Sequence, residues 1–558
     1  MKTRVSSKPS GLVLGASAVL LAVSFSACGD DDDGDGDGDD GNGGKGGTAA
    51  RGGTSGQGGT SGEAGTPGQG GTAARGGSAG RGGTSGQGGT AGTGGDAGGG
   101  MGGENVGGMG GEGGGADLAD PCRGLEIPAD QHYAAPGLCV RAVATEQGRL
   151  RQIAFTSNGD LIGVTVPGSI VRYRDVNDDG SFEGSDEIVT LGATGTPNGN
   201  NAHVDEAAGF LYAGTGAGVA RWAYDPESDT LGAREEVVIG QPSTGTHVYH
   251  TVHVYDGMLY VHSGSENNAV APASPEYDTN RSVLKRFDLD DFTPGTPFAW
   301  TAGEVFVLGV RNMVGFTRNA AGRMYGVVNG MDNLMYAGQD VHVNNPGDDL
   351  VRLELGGRHG YPYCFTAQHI LQAGTPVAAG TQLVAATDPT APDPDFVNPR
   401  DQAWCTANSE VPETFFPAHT APLDITFFDG PSGNLPEAWR GGAFVALHGS
   451  WNTTPSVGHS VVFVPFDAAG NAPMPVANVD ETDFPHTVVF GGGQGSTHDD
   501  GIWSWSADGT GESPVRPVGV AVSPVDGALY VSSDNGMVVG GATPPMQGAL
   551  YRIGIRRE

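Results

Sequence analysis

The sequence predicts an all-β fold, a six-bladed β-propeller preceded by a signal peptide and a disordered Gly-rich linker. Three observations lead there. A unit of two apolar alternating runs around a Gly-containing turn, followed by a strand-like return, recurs about six times after Arg151. Examples are RQIAFTSNGDLIGVTV, HTVHVYDGMLYVHSG and PVGVAVSPVDGALYVSSD. Asn-Gly and Asp-Gly pairs sit between the period-two runs, which is the hairpin signal. A spare strand-like segment, CVRAVAT (Cys139–Thr145), precedes the first unit and can complete the last one. One unit cannot bury its own apolar face, whereas several packed radially can, and a ring also hides strand edges.

The elements follow in chain order. Residues 1–28 read as a secretory signal: Lys2, Arg4 and Lys8, then the short apolar run GLVLGASAVLLAVSF. Small residues before Cys28 point to cleavage with lipid attached to that cysteine, as in bacterial lipoproteins. No later stretch has the apolar run of a membrane helix, so this anchor is the only membrane attachment expected. Residues 29–116 are an Asp-, Gly- and Thr-rich linker beginning DDDDGDGDGDDG; without apolar residues it cannot offset the entropy of ordering. Residues 117–558 form the propeller, with units beginning near Arg151, Asn201, His250, Asn312, Pro422 and Pro517. A long insertion, rich in Pro and turn residues, separates the fourth and fifth units, and a smaller one follows Pro465. Ordered insertions of this kind tend to be lids or binding loops. The only helical turn expected lies near Gln368–Leu371.

The formal net charge of -35 excludes nucleic acid and anionic lipid as partners. Of five cysteines, four remain beside Cys28. An even number in an exported chain predicts disulfides, here Cys122–Cys139 before the first unit and Cys364–Cys405 across the long insertion. No pair has the CxxC spacing of a zinc site.

Several segments can carry chemistry. Asp175-Val-Asn177-Asp-Asp179-Gly180 matches the first half of a calcium loop, with oxygen side chains at alternate positions and Gly at the turn; a polar hairpin turn is the plainer reading. Arg311-Asn312 stands at the mouth of a strand, where a guanidinium can bind an anionic or quinone oxygen. Downstream come Asn329-Gly330-Met331-Asp332-Asn333, the pair Asp348-Asp349, and Gly360-Tyr361-Pro362-Tyr363-Cys364. An apolar strand delivers His448 into the loop His448-Gly-Ser-Trp451-Asn452, and Arg516-Pro517-Val518-Gly519 opens the last unit.

Together GVRNMVGF, NGMDN, DDLVRL, GYPYC, AFVALHGSWN and RPVGVAVSP resemble the pyrroloquinoline-quinone-dependent glucose/sorbosone dehydrogenase family over most of 145–558. The resemblance implies a six-bladed propeller with the quinone in a central pocket and a calcium ion beside it. It implies His247 as general base, with His250 a nearby competitor because the local sequence is one residue shorter. Arg311 and Asn312 would bind the cofactor, and the backbone carbonyls of Gly330 and Met331 would bind calcium. His448 stands where soluble glucose dehydrogenases have Lys, and with Arg516 it would hold the cofactor carboxylates. Arg516 matches the first of two cofactor arginines, while Val518 replaces the second. The implied reaction is oxidation of an aldose or sorbosone by hydride transfer to the quinone, a neutral imidazole taking the hydroxyl proton. The partners implied are a small sugar and an unidentified electron acceptor. No Gly-rich phosphate loop opens a helix, which disfavours NAD. The competing readings are a non-catalytic surface propeller that binds glycans or proteins, and a calcium-dependent lactonase.

Overall fold

The computed structural model describes residues 126–127 and 132–557, apart from 197–198, 270–276, 369, 373–374, 388–395, 432, 451–452, 454–455, 475–485, 492–496, 500–501, 506–514, 536, 539–540 and 543–546. The signal segment with Cys28, the linker and Cys122 therefore lie outside the described residues.

Six sheets of four or five strands carry the fold, antiparallel throughout except for a short parallel outermost strand in two of them. Sheet 1 is built from Arg149–Phe155, Leu161–Val166, Ser169–Tyr173 and Ile188–Ala193. Sheet 2 starts at Ala202–Asp205, sheet 3 at Val252–Tyr255, sheet 4 at Asn312–Arg318, sheet 5 at Pro422–Phe427 and sheet 6 at Pro517–Val522. These starts match the repeat boundaries read from the sequence to within two residues. Strands of a unit pair in order because short turns favour antiparallel neighbours. In the two-residue turn between Tyr255 and Met258, Asp256 (φ 53°) and Gly257 (φ 77°) both take positive φ, the conformation of a type I′ turn.

Apolar residues decide how the sheets meet. Each of six buried clusters spans two consecutive sheets, and the last spans sheets 6 and 1. Between sheets 1 and 2, for example, Ile162 and Ile170 meet Leu211 and Trp222. Between sheets 6 and 1, Leu550 and Tyr530 meet Leu150 and Tyr173. A sheet apolar on both faces is satisfied only between two neighbours, and six such sheets close into a propeller-like arrangement. The spare strand does close it: Leu138–Thr145 pairs antiparallel with Ala549–Ile555, putting the fourth strand of sheet 6 at the N-terminal side of the domain.

The first strand of each sheet lies innermost, and small residues let these strands approach. A Cβ on Gly315 would stand 2.5 Å from Asp424 Cα of the next sheet. The centre is plugged: the Gln152 Nε2 amide donates to the carbonyls of Val314 (3.0 Å) and Leu423 (2.8 Å), tying sheets 1, 4 and 5.

The long insertion differs from expectation. Residues 370–372 form a strand paired with 375–377, not a helical turn. A helix appears instead at Gln402–Asn408, started by Asp401, whose carboxylate accepts the Trp404 N–H at 2.8 Å. Cys364 and Cys405 are disulfide-bonded as expected, within an aromatic cluster of Tyr277, Tyr363 and Trp404. Cys139 is fully buried and disulfide-bonded. No helix among the described residues is long and apolar enough to cross a membrane.

Candidate active site

In an antiparallel unit the start of the first strand and the end of the second lie at the same edge. Residues just before each innermost strand therefore gather with residues just after each second strand. A cavity open to solvent forms there. His247 enters it ahead of sheet 3, Arg311 and Asn312 at the head of sheet 4, His419 and Ala421 ahead of sheet 5, and Arg516 ahead of sheet 6. Asn329 ends the second strand of sheet 4 and Gly330 to Asp332 follow it, while Gly449 and Ser450 follow the second strand of sheet 5. Residues more than two hundred positions apart thus share one wall.

His247 is 5 % exposed, and its Nδ1 lies 2.6 Å from Ser265 Oγ. Burial, reinforced by the positive charge of Arg311, pushes its pKa well below that of a free imidazole, so the ring is neutral near pH 7. His250 points elsewhere: Nδ1 is 2.8 Å from the Thr215 carbonyl and Nε2 3.3 Å from that of Pro242, and the residue does not line the cavity.

Arg311 is fixed before any ligand arrives. Its Nε donates to Asn268 O (3.0 Å) and its Nη2 to Asn268 Oδ1 (3.0 Å) and Asp332 Oδ2 (3.1 Å). Asp332 Oδ1 stands 3.5 Å from His419 Nδ1, and His419 Nε2 is 2.5 Å from the His342 carbonyl. Burial disfavours the His419 imidazolium, but the Asp332 carboxylate outweighs it and the pKa rises. Asp348 Oδ1 accepts the Gly330 N–H (2.8 Å) and Oδ2 the Ala421 N–H (2.9 Å); burial still pushes its pKa up to about 6. Gly330 has no room for a side chain, since a Cβ would lie 2.2 Å from Pro346 Cγ.

His448 does not reach the cavity wall. It is 1 % exposed behind Arg516, with Nδ1 3.1 Å from Arg516 Nη2 and Nε2 3.1 Å from Asp534 Oδ2. Arginine can only donate, so Nδ1 accepts and Nε2–H donates to Asp534. Arg149 (3.3 Å) and Arg151 (3.5 Å) also pair with Asp534 Oδ2. Although burial opposes it, this company holds the Asp534 carboxyl well below the usual range. Val518 is fully buried in a central cluster with Val248, Tyr249, Val314 and Leu423. Trp451 and Asn452 lie outside the described residues.

The donors suit an anionic, oxygen-rich ligand: two guanidiniums, an amide at Asn312 and the His419 imidazole, whose charged form Asp332 favours, face one cavity. They suit a hard cation beside it as well. Asn329 Oδ1, in the same wall, is buried without a hydrogen-bond partner among the described residues, next to the carboxylates of Asp332 and Asp348. The other calcium candidate is self-satisfied. Asp175 Oδ1 and Oδ2 accept the N–H groups of Asp179 (3.1 Å) and Gly180 (2.7 Å), Asn177 Oδ1 that of Asp179 (2.8 Å), and Asp179 Oδ1 that of Ser181 (2.8 Å). Among the described residues no three His, Cys, Asp or Glu side chains gather as a metal site.

Sequence reading singled out Asp332 and Asp348 without a role and passed over His419, Ser265 and Asp534. All three had a positional signal: His419 stands three residues ahead of an innermost strand, and Ser265 and Asp534 stand one or two residues after a second strand.

A family model described as TrAA12-like matches residues 132–539. The chain belongs to the TrAA12-like family. This TrAA12-like chain is 29 % identical over 365 residues to a pyrroloquinoline quinone-dependent pyranose dehydrogenase of Coprinopsis cinerea, covering 62 % of this chain and 47 % of that protein. It therefore spans about half the length of that relative. It is 27 % identical over 390 residues to a pyrroloquinoline quinone-dependent sugar dehydrogenase of Hypocrea jecorina, covering 65 % and 81 %. The solved holo form of the quinone domain of pyranose dehydrogenase from Coprinopsis cinerea superposes with a TM-score of 0.62 at 26 % identity, covering 78 % of this chain and 99 % of that one.

Proposed function

We propose that this TrAA12-like chain is a quinoprotein dehydrogenase that oxidises the hydroxyl or aldehyde-hydrate carbon of an aldose- or sorbosone-type sugar, using pyrroloquinoline quinone and calcium. One observation carries the reading: His247, Arg311, Asn312, Gly330, Met331 and Arg516, chosen on sequence grounds, all line one cavity. The names of the relatives support it. Six sheets in cyclic contact support a six-bladed propeller for 117–558.

When bound, the quinone supplies a hydride-accepting carbonyl and calcium a Lewis acid. Arg311, Asn312 and Arg516 would hold the quinone, and the Gly330 and Met331 carbonyls the ion. His247, neutral and buried, takes the proton of the reacting hydroxyl on Nε2. Arg311, braced by Asp332 and Asn268, keeps its charge in place without reorganising. His448 and Asp534 set the position of Arg516 from behind. The disulfide-closed insertion shapes the sugar side, since Tyr361 OH donates to Asn267 O (3.2 Å) in the loop beside His247. The chain is exported and lipid-anchored through Cys28, with 29–116 as its tether, and passes electrons to an acceptor it does not specify.

The test is to purify the chain without cofactor, add calcium and pyrroloquinoline quinone, and follow quinone absorbance with a panel of aldoses and sorbosone. Stoichiometric binding with sugar-dependent bleaching is expected. Absence of quinone binding would overturn the proposal and leave a likeness of fold.

A further inference from the structure

The general base of this reading has an unusual partner. His247 Nδ1 lies 2.6 Å from Ser265 Oγ, and Ser265 Oγ lies 2.8 Å from the Asn267 carbonyl oxygen. A carbonyl only accepts, so the single hydroxyl proton of Ser265 goes to Asn267. What Ser265 then offers His247 is a lone pair, and the proton in the 2.6 Å contact belongs to Nδ1. The ring is left with its lone pair on Nε2.

The surroundings hold this arrangement. Ser265 is 2 % exposed, and its N–H donates to the Arg311 carbonyl at 2.8 Å, which ties the base to the arginine of the next sheet. The Thr246 N–H donates to Glu266 O at 2.7 Å, clamping the two loops together. Gly264 admits no side chain, because a Cβ would lie 2.7 Å from His247 Cβ. The charged and titratable groups facing His247 are Arg311, Asp332 and His262. Asp332 is engaged by Arg311 and His419, and His262 is itself neutral, its pKa pushed down by burial to about 3. Among the described residues no carboxylate hydrogen-bonds to His247.

We propose that Ser265 is a positioning residue that locks His247 in the Nδ1–H tautomer, giving a base oriented by a hydroxyl rather than by a carboxylate. The arrangement aims Nε2 as acceptor and favours the imidazolium that forms less than a facing carboxylate would. The base therefore stays free in acid, where a carboxylate-paired histidine would already be protonated. The proposal deepens the dehydrogenase reading and rests on it.

The test compares the full chain, loaded with pyrroloquinoline quinone and calcium, with Ser265→Ala, Ser265→Thr and Ser265→Asp. Ser265→Ala is expected to lower kcat by about tenfold or more with KM changed by less than about twofold, and Ser265→Thr to retain most of the rate. Ser265→Asp is expected to move the acidic limb of kcat/KM up by about one pH unit or more, since a facing carboxylate favours the imidazolium. A second readout needs no turnover: ring ¹⁵N shifts of the cofactor-free chain, with the His247 signals identified by their loss in His247→Gln. A protonated Nδ1 and bare Nε2 in the parent, mixed tautomers in Ser265→Ala, and a higher ring pKa in Ser265→Asp support the proposal. A parent ring protonated on Nε2, or a Ser265→Ala chain unchanged in both rate and ring state, overturns it. Inactivity of every chain with the expected ring shifts would sink the dehydrogenase reading while leaving the tautomer assignment standing.

Discussion

His247 and His250 are separated by two residues, yet one faces a cavity and the other two carbonyls. Only the first has a nitrogen free to take a substrate proton. His247→Ala should bind quinone normally and lose turnover by about a hundredfold or more, the scale of a missing general base; absorbance titration beside steady-state rates checks both. A base must be unprotonated, so activity falls as pH drops through its pKa. Burial and Arg311 place that pKa well below 6.5, so the acidic limb of kcat/KM should lie well below pH 6.5, read from a pH profile in constant ionic strength. Val518 makes the opposite case. It stands where the resembling family has a second arginine, but its side chain is fully buried among Val248, Tyr249, Val314 and Leu423. Val518→Arg should not gain cofactor affinity. It should cost several kcal/mol by burying an unpaired guanidinium, seen as a lowered Tm.

At the scale of elements, the insertion between sheets 4 and 5 is the piece least like the rest. The bridge between Cys364 and Cys405 closes a sequence separation of 41 residues around a helix and a short strand pair. Both sulfurs are buried against Tyr277, Tyr363 and Trp404. Cys405→Ser should therefore destabilise by about 2–4 kcal/mol. Because the insertion abuts the loop beside His247 and not His247 itself, KM should rise more than kcat falls, which sugar titrations of the variant would show. The helix at Gln402–Asn408 was not legible as a helix: two turns are too short for a periodic pattern, and only Asp401 as a cap hints at it. The strand at 370–372, read as a helical turn, has no alternation long enough to decide either way.

For the whole molecule, closure is the decisive contact. Leu138, Val140, Val143 and Ala144 of the closing strand are buried in the two clusters that flank sheet 6, each larger side chain contributing about 1.5–3 kcal/mol. A chain beginning at residue 147 would expose the edge of Ala549–Ile555 and should be aggregated or unfolded, whereas one beginning at 117 should melt like the full chain. Calorimetry and size-exclusion chromatography of the two would check this. The same closure makes the cavity. Arg516 of sheet 6 meets residues of sheets 3, 4 and 5 only because the ring returns on itself.

The sequence by itself determined the repeat, its boundaries, the closing strand and the segments that bear chemistry, because period-two alternation and turn residues act locally. It also supplied six of the cavity residues through motif likeness. Only the tertiary structure decided what each polar side chain meets. It set His448 behind Arg516 rather than in the wall, turned the Asp175–Gly180 oxygens onto their own backbone, brought His419 beside Asp332, and put Ser265 against His247. Those outcomes depend on which strand ends converge across the ring, and contacts between residues tens to hundreds of positions apart leave no periodic trace in the chain.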